Sequence, residues 1–80
     1  MPTRPGSVNH VSDNVYKSIE ITGSSPDGTD QAIRNALSKA AETVRNIDWF
    51  EVLETRGVMA EGGQQIGYFQ VTLKVGFRLD

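Results

Sequence analysis

A strictly alternating segment near the carboxyl end of the chain limits what this sequence can fold into more than any other feature. From Tyr68 to Leu79 every odd position is apolar, and almost every even position is polar or glycine. Side chains of a β-strand point alternately to its two faces, so this period of two predicts one long strand with one face in the core. The predicted core-face residues are Phe69, Val71, Leu73, Val75, Phe77 and Leu79.

The single tryptophan of the chain is predicted to lie on the opposite face of the same sheet. If the preceding strand folds back through a glycine-rich turn, antiparallel pairing places Trp49 opposite Gly76 and Val52 opposite a core-face leucine. We expect this indole to point away from the core over a glycine and to stand beside Gln70 and Thr72 on the polar face, where it can bind a flat ligand or a partner surface. A one-residue slip would bury Trp49, but it would also turn Val52 outward and Glu51 inward, which the hydrophobic effect disfavours.

Composition excludes several classes of function. The chain of 80 residues makes one small domain and has no cysteine, so disulfides, thiolate metal sites and thiol nucleophiles are absent. Its only histidine, His10, lies in a segment without apolar periodicity, which leaves the predicted domain without a histidine-based triad or metal site. The net charge of −2 and the lack of a basic cluster argue against a nucleic-acid partner.

The chain divides into two regions. Residues 1–14 are rich in Pro, Ser, Asn and Gly, and we expect them to be disordered or to be an extension added for expression. Residues 15–80 are predicted to form the single domain. Because no signal peptide and no run of about 18 apolar residues is present, the expected location is the cytoplasm, without a membrane partner.

Periodicity predicts the remaining elements. A first strand is expected over residues 15–22, followed by a turn containing glycine and proline. A helix is expected from about Asp27 to about Asn46, with Asp27 and Asp30 stabilising its start. Apolar residues at helical spacing form its inward stripe, namely Ile33, Leu37, Ala40, Val44 and Ile47.

The lengths of these elements predict self-association. A strand of about 14 residues spans about 45 Å, whereas a helix of about 19 residues spans under about 30 Å. One helix cannot cover that strand, so an overhang carrying Phe77 and Leu79 would stay exposed unless another copy pairs with it. We therefore expect a homo-oligomer, a common solution for a domain of this size.

Three motifs together resemble the dodecins, a family of small flavin-binding proteins. They are Gly-x-Ser-Pro at residues 23–26, Asp-Trp-Phe-Glu-Val at residues 48–52, and Gln-Val-x-Leu-x-Val-Gly-Phe-x-Leu at residues 70–79. The resemblance runs over about residues 15–80. It implies an α+β fold of order β-α-β-β, in which a three-stranded antiparallel sheet wraps around one helix. It also implies a hollow homo-dodecamer with flavins bound in pairs near two-fold axes.

The resemblance also assigns ligand contacts. Trp49 matches the family tryptophan that stacks on the isoalloxazine ring, and Gln70 matches the glutamine whose amide bonds the pyrimidine edge of that ring. Arg56 and Arg78 match basic positions for the phosphate of flavin mononucleotide or of coenzyme A in some bacterial members. The expected cofactor is a flavin, with flavin mononucleotide first and riboflavin or lumichrome as alternatives; coenzyme A is a further candidate. The hairpin from Gly57 to Gln70 is about two residues longer than usual, so the resemblance assigns no contact to its tip.

The function implied is non-enzymatic flavin binding, storage and sequestration, with quenching of flavin photochemistry by the stacked Trp49. Two alternatives stay open. A flavin-dependent redox enzyme would need access to the ring, which tryptophan on one side and a second flavin on the other would block. A ligand-free oligomeric assembly module would use Trp49 as a subunit contact. Flavin uptake by the purified protein separates the last alternative from the other two.

Overall fold

The computed structural model describes residues 13–80, so His10 and most of the region expected to be disordered lie outside the described residues. The elements are β1 (Tyr16–Ser25), α1 (Thr29–Ala41), β2 (Ile47–Ala60), a short 3-10 helix (Glu61–Gly63) and β3 (Gln65–Arg78). Strands β1 and β2 both pair antiparallel with β3, which gives the strand order β1-β3-β2. The predicted α+β fold of order β-α-β-β is confirmed. Within residues 13–80, no helix is long and apolar enough to cross a membrane.

The core forms where α1 packs on β1 and β3. Val71, Leu73 and Val75 of β3 are fully buried, which confirms the predicted core face of the central strand. Ala32 and Ala36 of α1 complete the buried cluster. Five partly buried apolar side chains pack around it, namely Ile19, Ile21, Ile33, Leu37 and Ile47.

The buried face of α1 differs from the predicted stripe. Alanines at successive turns, Ala32 and Ala36 among them, face the sheet directly, while the larger Ile33 and Leu37 lie on the flank. The cause is the close approach of the helix to Gly23 of β1. A Cβ at Gly23 would collide with the carbonyl oxygen of Ala32 and lie 2.8 Å from the Cβ of Ala36. Only small side chains fit between backbones this close, so the larger ones are displaced sideways.

The start of α1 also differs from the prediction. Asp27 does not cap the helix, because the N-cap is Gly28 and no side chain makes a capping hydrogen bond. The backbone N–H of Asp27 instead donates to Oγ of Ser25 at 3.0 Å. Since β1 extends to Ser25, the first strand runs three residues further than the 15–22 expected from the sequence.

The end of α1 comes at Ala41, five residues before the predicted end near Asn46. Asn46 adopts a left-handed backbone conformation, with φ of 64°. Its side-chain amide donates to the carbonyl oxygen of Arg78 at 3.3 Å and to Oδ1 of Asp80 at 2.9 Å. These tertiary contacts join the segment after the helix to the end of β3. Helical periodicity in the sequence cannot predict them.

A row of apolar side chains on β2 is only partly covered within the described chain. Phe50 and Val52 are each 45% exposed and Leu53 is 43% exposed; we call these three residues the β2 strip. The 13-residue helix is about 20 Å long against about 45 Å for the 14-residue β3. The difference in length between the helix and the strand is therefore larger than the sequence predicted. Leu79 of the predicted overhang is 46% exposed, as expected, but Phe77 is half-buried, and further exposed apolar side chains lie along β2.

Candidate ligand-binding site

The sheet face that points away from α1, here called the outer face, carries all four residues proposed from the sequence to bind a ligand. Strand β3 contributes Gln70 and Arg78. Strand β2 contributes Trp49, opposite Gly76, and Arg56, opposite Gln70. The predicted pairing of Trp49 with Gly76 is confirmed, and it sets the indole on the outer face.

Trp49 reaches the outer face next to a β-bulge at Asp48. Ile47 pairs with Phe77 and Trp49 pairs with Gly76, so two residues of β2 oppose one residue of β3. Ile47 packs against the core cluster while Trp49 remains 41% exposed. In a regular strand Ile47 and Trp49 would share a face. The bulge is what lets the first be buried and the second be displayed.

The six-membered ring of the Trp49 indole lies directly over Gly76. A Cβ at position 76 would collide with Cδ2, Cε2 and Cζ2 of that ring. Glycine is therefore required here because a side chain would collide with the indole, and not because of the backbone conformation. One side of the ring rests on the β3 backbone, and the exposed remainder is available to a partner.

We expect Gly76→Ala to displace the indole without unfolding the protein, because Trp49 is an exposed side chain that can swing outward. A ligand stacked on that ring should bind about tenfold more weakly, and the near-ultraviolet circular dichroism of the tryptophan should change. Ser18→Ala is the matched control, since Ser18 lies on the outer face opposite Gly76 from the other side. An unaltered tryptophan spectrum in Gly76→Ala would contradict the packing described above.

Gln70 and Arg56 form a second polar cluster on the outer face, where their Cα atoms are paired across β2 and β3. Nε2 of Gln70 donates to Oγ of Ser24 at 3.3 Å. The guanidinium of Arg56 forms an ion pair with Glu54. Gln70 is thus oriented by β1, and the positive charge of Arg56 is already partly neutralised.

A second bulge on β2 brings Arg56 to this face. Val52 pairs with Leu73 and Glu54 pairs with Thr72, so Leu53 is an extra residue. If the strand continued regularly from the inward-facing Val52, Arg56 would point toward the core side of the sheet. The bulge reverses the alternation and sets Arg56 beside the amide of the glutamine.

The two clusters lie far apart on one chain. Trp49 is at the level of position 76 of β3, and Gln70 is six positions away, which is about 20 Å at the rise of a strand. The expectation that Trp49 stands beside Gln70 is therefore wrong within a protomer, although both share the outer face. A three-ring ligand cannot reach across this distance. A single ligand that touches both side chains must take them from different copies of the chain.

Arg78 belongs to the tryptophan end of the outer face, two positions beyond Gly76 on β3. Its backbone N–H donates to the carbonyl oxygen of Asn46 at 3.0 Å. Across residues 13–80, the guanidinium of Arg78 has no ion-pair partner. Of the two arginines on the outer face, Arg78 is therefore the one that can meet an anion without first breaking an ion pair within the described residues.

Sequence reasoning missed a contact beside the tryptophan. The hydroxyl of Tyr16 donates to Oδ2 of Asp48 at 3.0 Å, across the intervening β3. The sequence did carry a signal for the bulge beside this contact. Ile47 and Phe50 are both apolar and three residues apart, and a period of two cannot place them on one face without an extra residue.

In the part of the chain that the structure describes, no group of three or more His, Asp or Glu side chains could hold a metal ion.

Comparison with known proteins identifies the family of this chain. The sequence profile of the dodecin family matches residues 15–80. A dodecin from Thermus thermophilus is 48% identical over 66 residues, which cover 82% of this chain and 93% of that protein.

Solved structures agree with the sequence match. The dodecin from Streptomyces davaonensis shares 53% identity with a TM-score of 0.79, over 85% of this chain and 97% of that one. The dodecin from Streptomyces coelicolor shares 48% identity with a TM-score of 0.80, over 88% and 97% of the two chains. The motifs, the fold and the relatives are therefore consistent with one another, and this chain belongs to the dodecin family of small flavin-binding proteins.

Proposed function

We propose that this protein binds, stores and sequesters flavins without catalysing a reaction, and that Trp49 is the surface on which the flavin stacks. The observation that carries the proposal is the indole held over Gly76 on the outer face while 41% exposed. Indole is electron-rich and oxidised isoalloxazine is electron-poor, so face-to-face contact is favoured by dispersion and electrostatics. The same contact allows electron transfer from the indole to photoexcited flavin, which quenches flavin photochemistry.

Affinity in this proposal depends on assembly. Stacking on one aromatic ring is worth roughly 1–3 kcal/mol, whereas a micromolar site needs about 8 kcal/mol. One Trp49 is therefore insufficient, and Gln70 of the same chain is about 20 Å away. In a hollow homo-dodecamer, flavins bound in pairs near two-fold axes gain a second indole, glutamine contacts from a further copy, and burial of both rings.

The polar residues have distinct roles in the proposed site. The amide of Gln70 offers donors and an acceptor to the alternating carbonyl and N–H groups on the flavin pyrimidine edge. Arg78 lies at the tryptophan end, and Arg56 lies beside the glutamine. A phosphate that approaches Arg56 must compete with Glu54, whereas no carboxylate of residues 13–80 forms an ion pair with Arg78. Flavin mononucleotide is therefore the first candidate; riboflavin and lumichrome offer the ring without a phosphate, and coenzyme A is a further candidate.

Fluorescence titration with riboflavin, lumichrome and flavin mononucleotide, combined with native mass measurement, tests this function. We expect loss of flavin fluorescence on binding and a mass equal to that of the dodecamer. A tighter complex with flavin mononucleotide than with riboflavin, abolished by Arg78→Gln, would support a phosphate contact. No binding of any of the three flavins by the assembled protein would overturn the function. Sustained oxidation of reduced nicotinamide by the flavin-loaded protein would contradict its non-enzymatic character.

The β2 strip is where we expect neighbouring copies to meet. Val52→Asp would place a charge in that contact in every copy, so we expect the native mass to fall below that of the dodecamer. Ser38→Asp is the control, because it adds the same charge to the exposed side of α1. Dodecamer mass retained by Val52→Asp would show that the strip lies outside the subunit contacts.

A further inference from the structure

We propose that Tyr16 is a positioning residue for Trp49 and that it acts through Asp48. The inference rests on the proposed function, because it concerns the orientation of the same indole. Neither residue needs to touch the flavin. Their role is to hold the backbone from which the stacking side chain extends.

The hydrogen bond between Tyr16 and Asp48 joins the two edge strands of the sheet. Tyr16 of β1 is opposite Arg78 of β3, and Asp48 lies on β2 at the other side of that strand. β1 and β2 are separated by about 10 Å, twice the usual strand spacing. The hydroxyl of Tyr16 nevertheless donates to Oδ2 of Asp48 at 3.0 Å, so the phenol ring must lie across the outer face of β3. A hydrogen bond to a carboxylate is stronger than one between neutral groups.

The position of this bond is what gives it a role in binding. Asp48 is the extra residue of the first bulge, where the regular ladder of backbone hydrogen bonds is interrupted. The backbone there depends on side-chain contacts more than a regular strand does. Because Trp49 follows immediately, a shift of Asp48 changes the direction of the tryptophan Cα–Cβ bond. The ring then no longer lies over Gly76, and its exposed face is no longer presented to a stacked ligand.

Variants that remove and restore this bond test the proposal on the assembled protein. Tyr16→Phe keeps the ring and removes the hydroxyl, and Asp48→Ala removes the acceptor. Each should raise the dissociation constant for riboflavin about threefold to tenfold, the effect of one exposed hydrogen bond. Asp48→Asn keeps an acceptor oxygen for Tyr16 and should bind almost as the wild type. The double variant of Tyr16→Phe with Asp48→Ala should bind no more weakly than either single variant.

A readout that does not involve flavin separates positioning from general stability. The near-ultraviolet circular dichroism of Trp49 and its quenching by acrylamide should change in Tyr16→Phe while the native mass stays constant. Gln31→Ala is the matched control, since it removes another exposed side-chain hydrogen bond, from Gln31 to Asn35 at 2.8 Å on α1. It should alter neither the tryptophan signals nor riboflavin binding.

The outcomes distinguish this inference from the proposed function. If the wild type binds riboflavin and Tyr16→Phe binds it equally well, the positioning role is refuted and the function stands. Additive losses in the double variant would also refute it, because they would show two independent effects. If the wild type binds no flavin, the function fails, and the tryptophan spectrum of Tyr16→Phe alone decides: a change supports the Tyr16–Asp48 contact, and no change overturns it.

Discussion

Replacement of Trp49 by alanine is expected to weaken riboflavin binding about tenfold to a hundredfold while leaving the native mass unchanged. Each bound flavin would lose a stacking contact worth roughly 1–3 kcal/mol. The fold does not depend on this side chain, since it lies outside the buried core cluster and is 41% exposed. Titration followed by riboflavin fluorescence measures the loss.

Trp49→Phe is the informative companion, because phenylalanine keeps a flat face of smaller area. We expect it to bind riboflavin with an affinity between those of the wild type and Trp49→Ala. Equal titration curves for wild type and Trp49→Ala would eliminate the stacking role. If Trp49→Ala lost both flavin and dodecamer mass, the indole would be a subunit contact, as the assembly-module alternative requires.

Gly23→Ala is expected to reduce the free energy of unfolding by about 3 kcal/mol, at the upper end of the usual penalty for overpacking. The added Cβ would collide with the carbonyl oxygen of Ala32 and lie 2.8 Å from the Cβ of Ala36. A backbone atom cannot rotate away as a side chain can, so α1 or β1 must move as a whole. Urea denaturation at a fixed protein concentration measures the effect, because oligomer stability depends on concentration.

Gly57→Ala provides the control for that experiment. Gly57 lies on β2, where an added Cβ would meet no atom within 4 Å, and its φ is not positive, so alanine fits without strain. We expect a change of at most about 0.5 kcal/mol, in either direction. Equal denaturation midpoints for Gly23→Ala and Gly57→Ala would contradict the close approach of helix and strand.

Alternation of apolar and polar residues was sufficient to predict the central strand and its core face. Val71, Leu73 and Val75 are buried because burying one face of a half-apolar strand is the main favourable free energy available to it. The same alternation, counted back from Val52, also placed Trp49 on the outer face. The family followed from motifs that combine this strand with the segment containing the tryptophan.

Predictions from local sequence patterns were wrong where residues distant in sequence come into contact. Ile33 and Leu37 were expected at the centre of the buried helix face, but the approach of α1 to Gly23 leaves room only for alanines there. The helix was expected to continue to Asn46, but the contacts of that residue with the end of β3 favour a left-handed conformation instead. Both corrections arise from residues distant in sequence.

The sequence alone thus determined the order of the elements, the core face of β3 and the outward direction of Trp49. These features depend on the spacing of apolar residues within one segment, which involves only residues close in sequence. Tertiary pairing decided the rest of the candidate site. Bulges at Asp48 and Leu53 set which side chains of β2 reach the outer face, and a bulge exists only through pairing with a partner strand. The separation of Trp49 from Gln70 likewise follows from strand register, and it makes a binding site that contains both a property of the assembly.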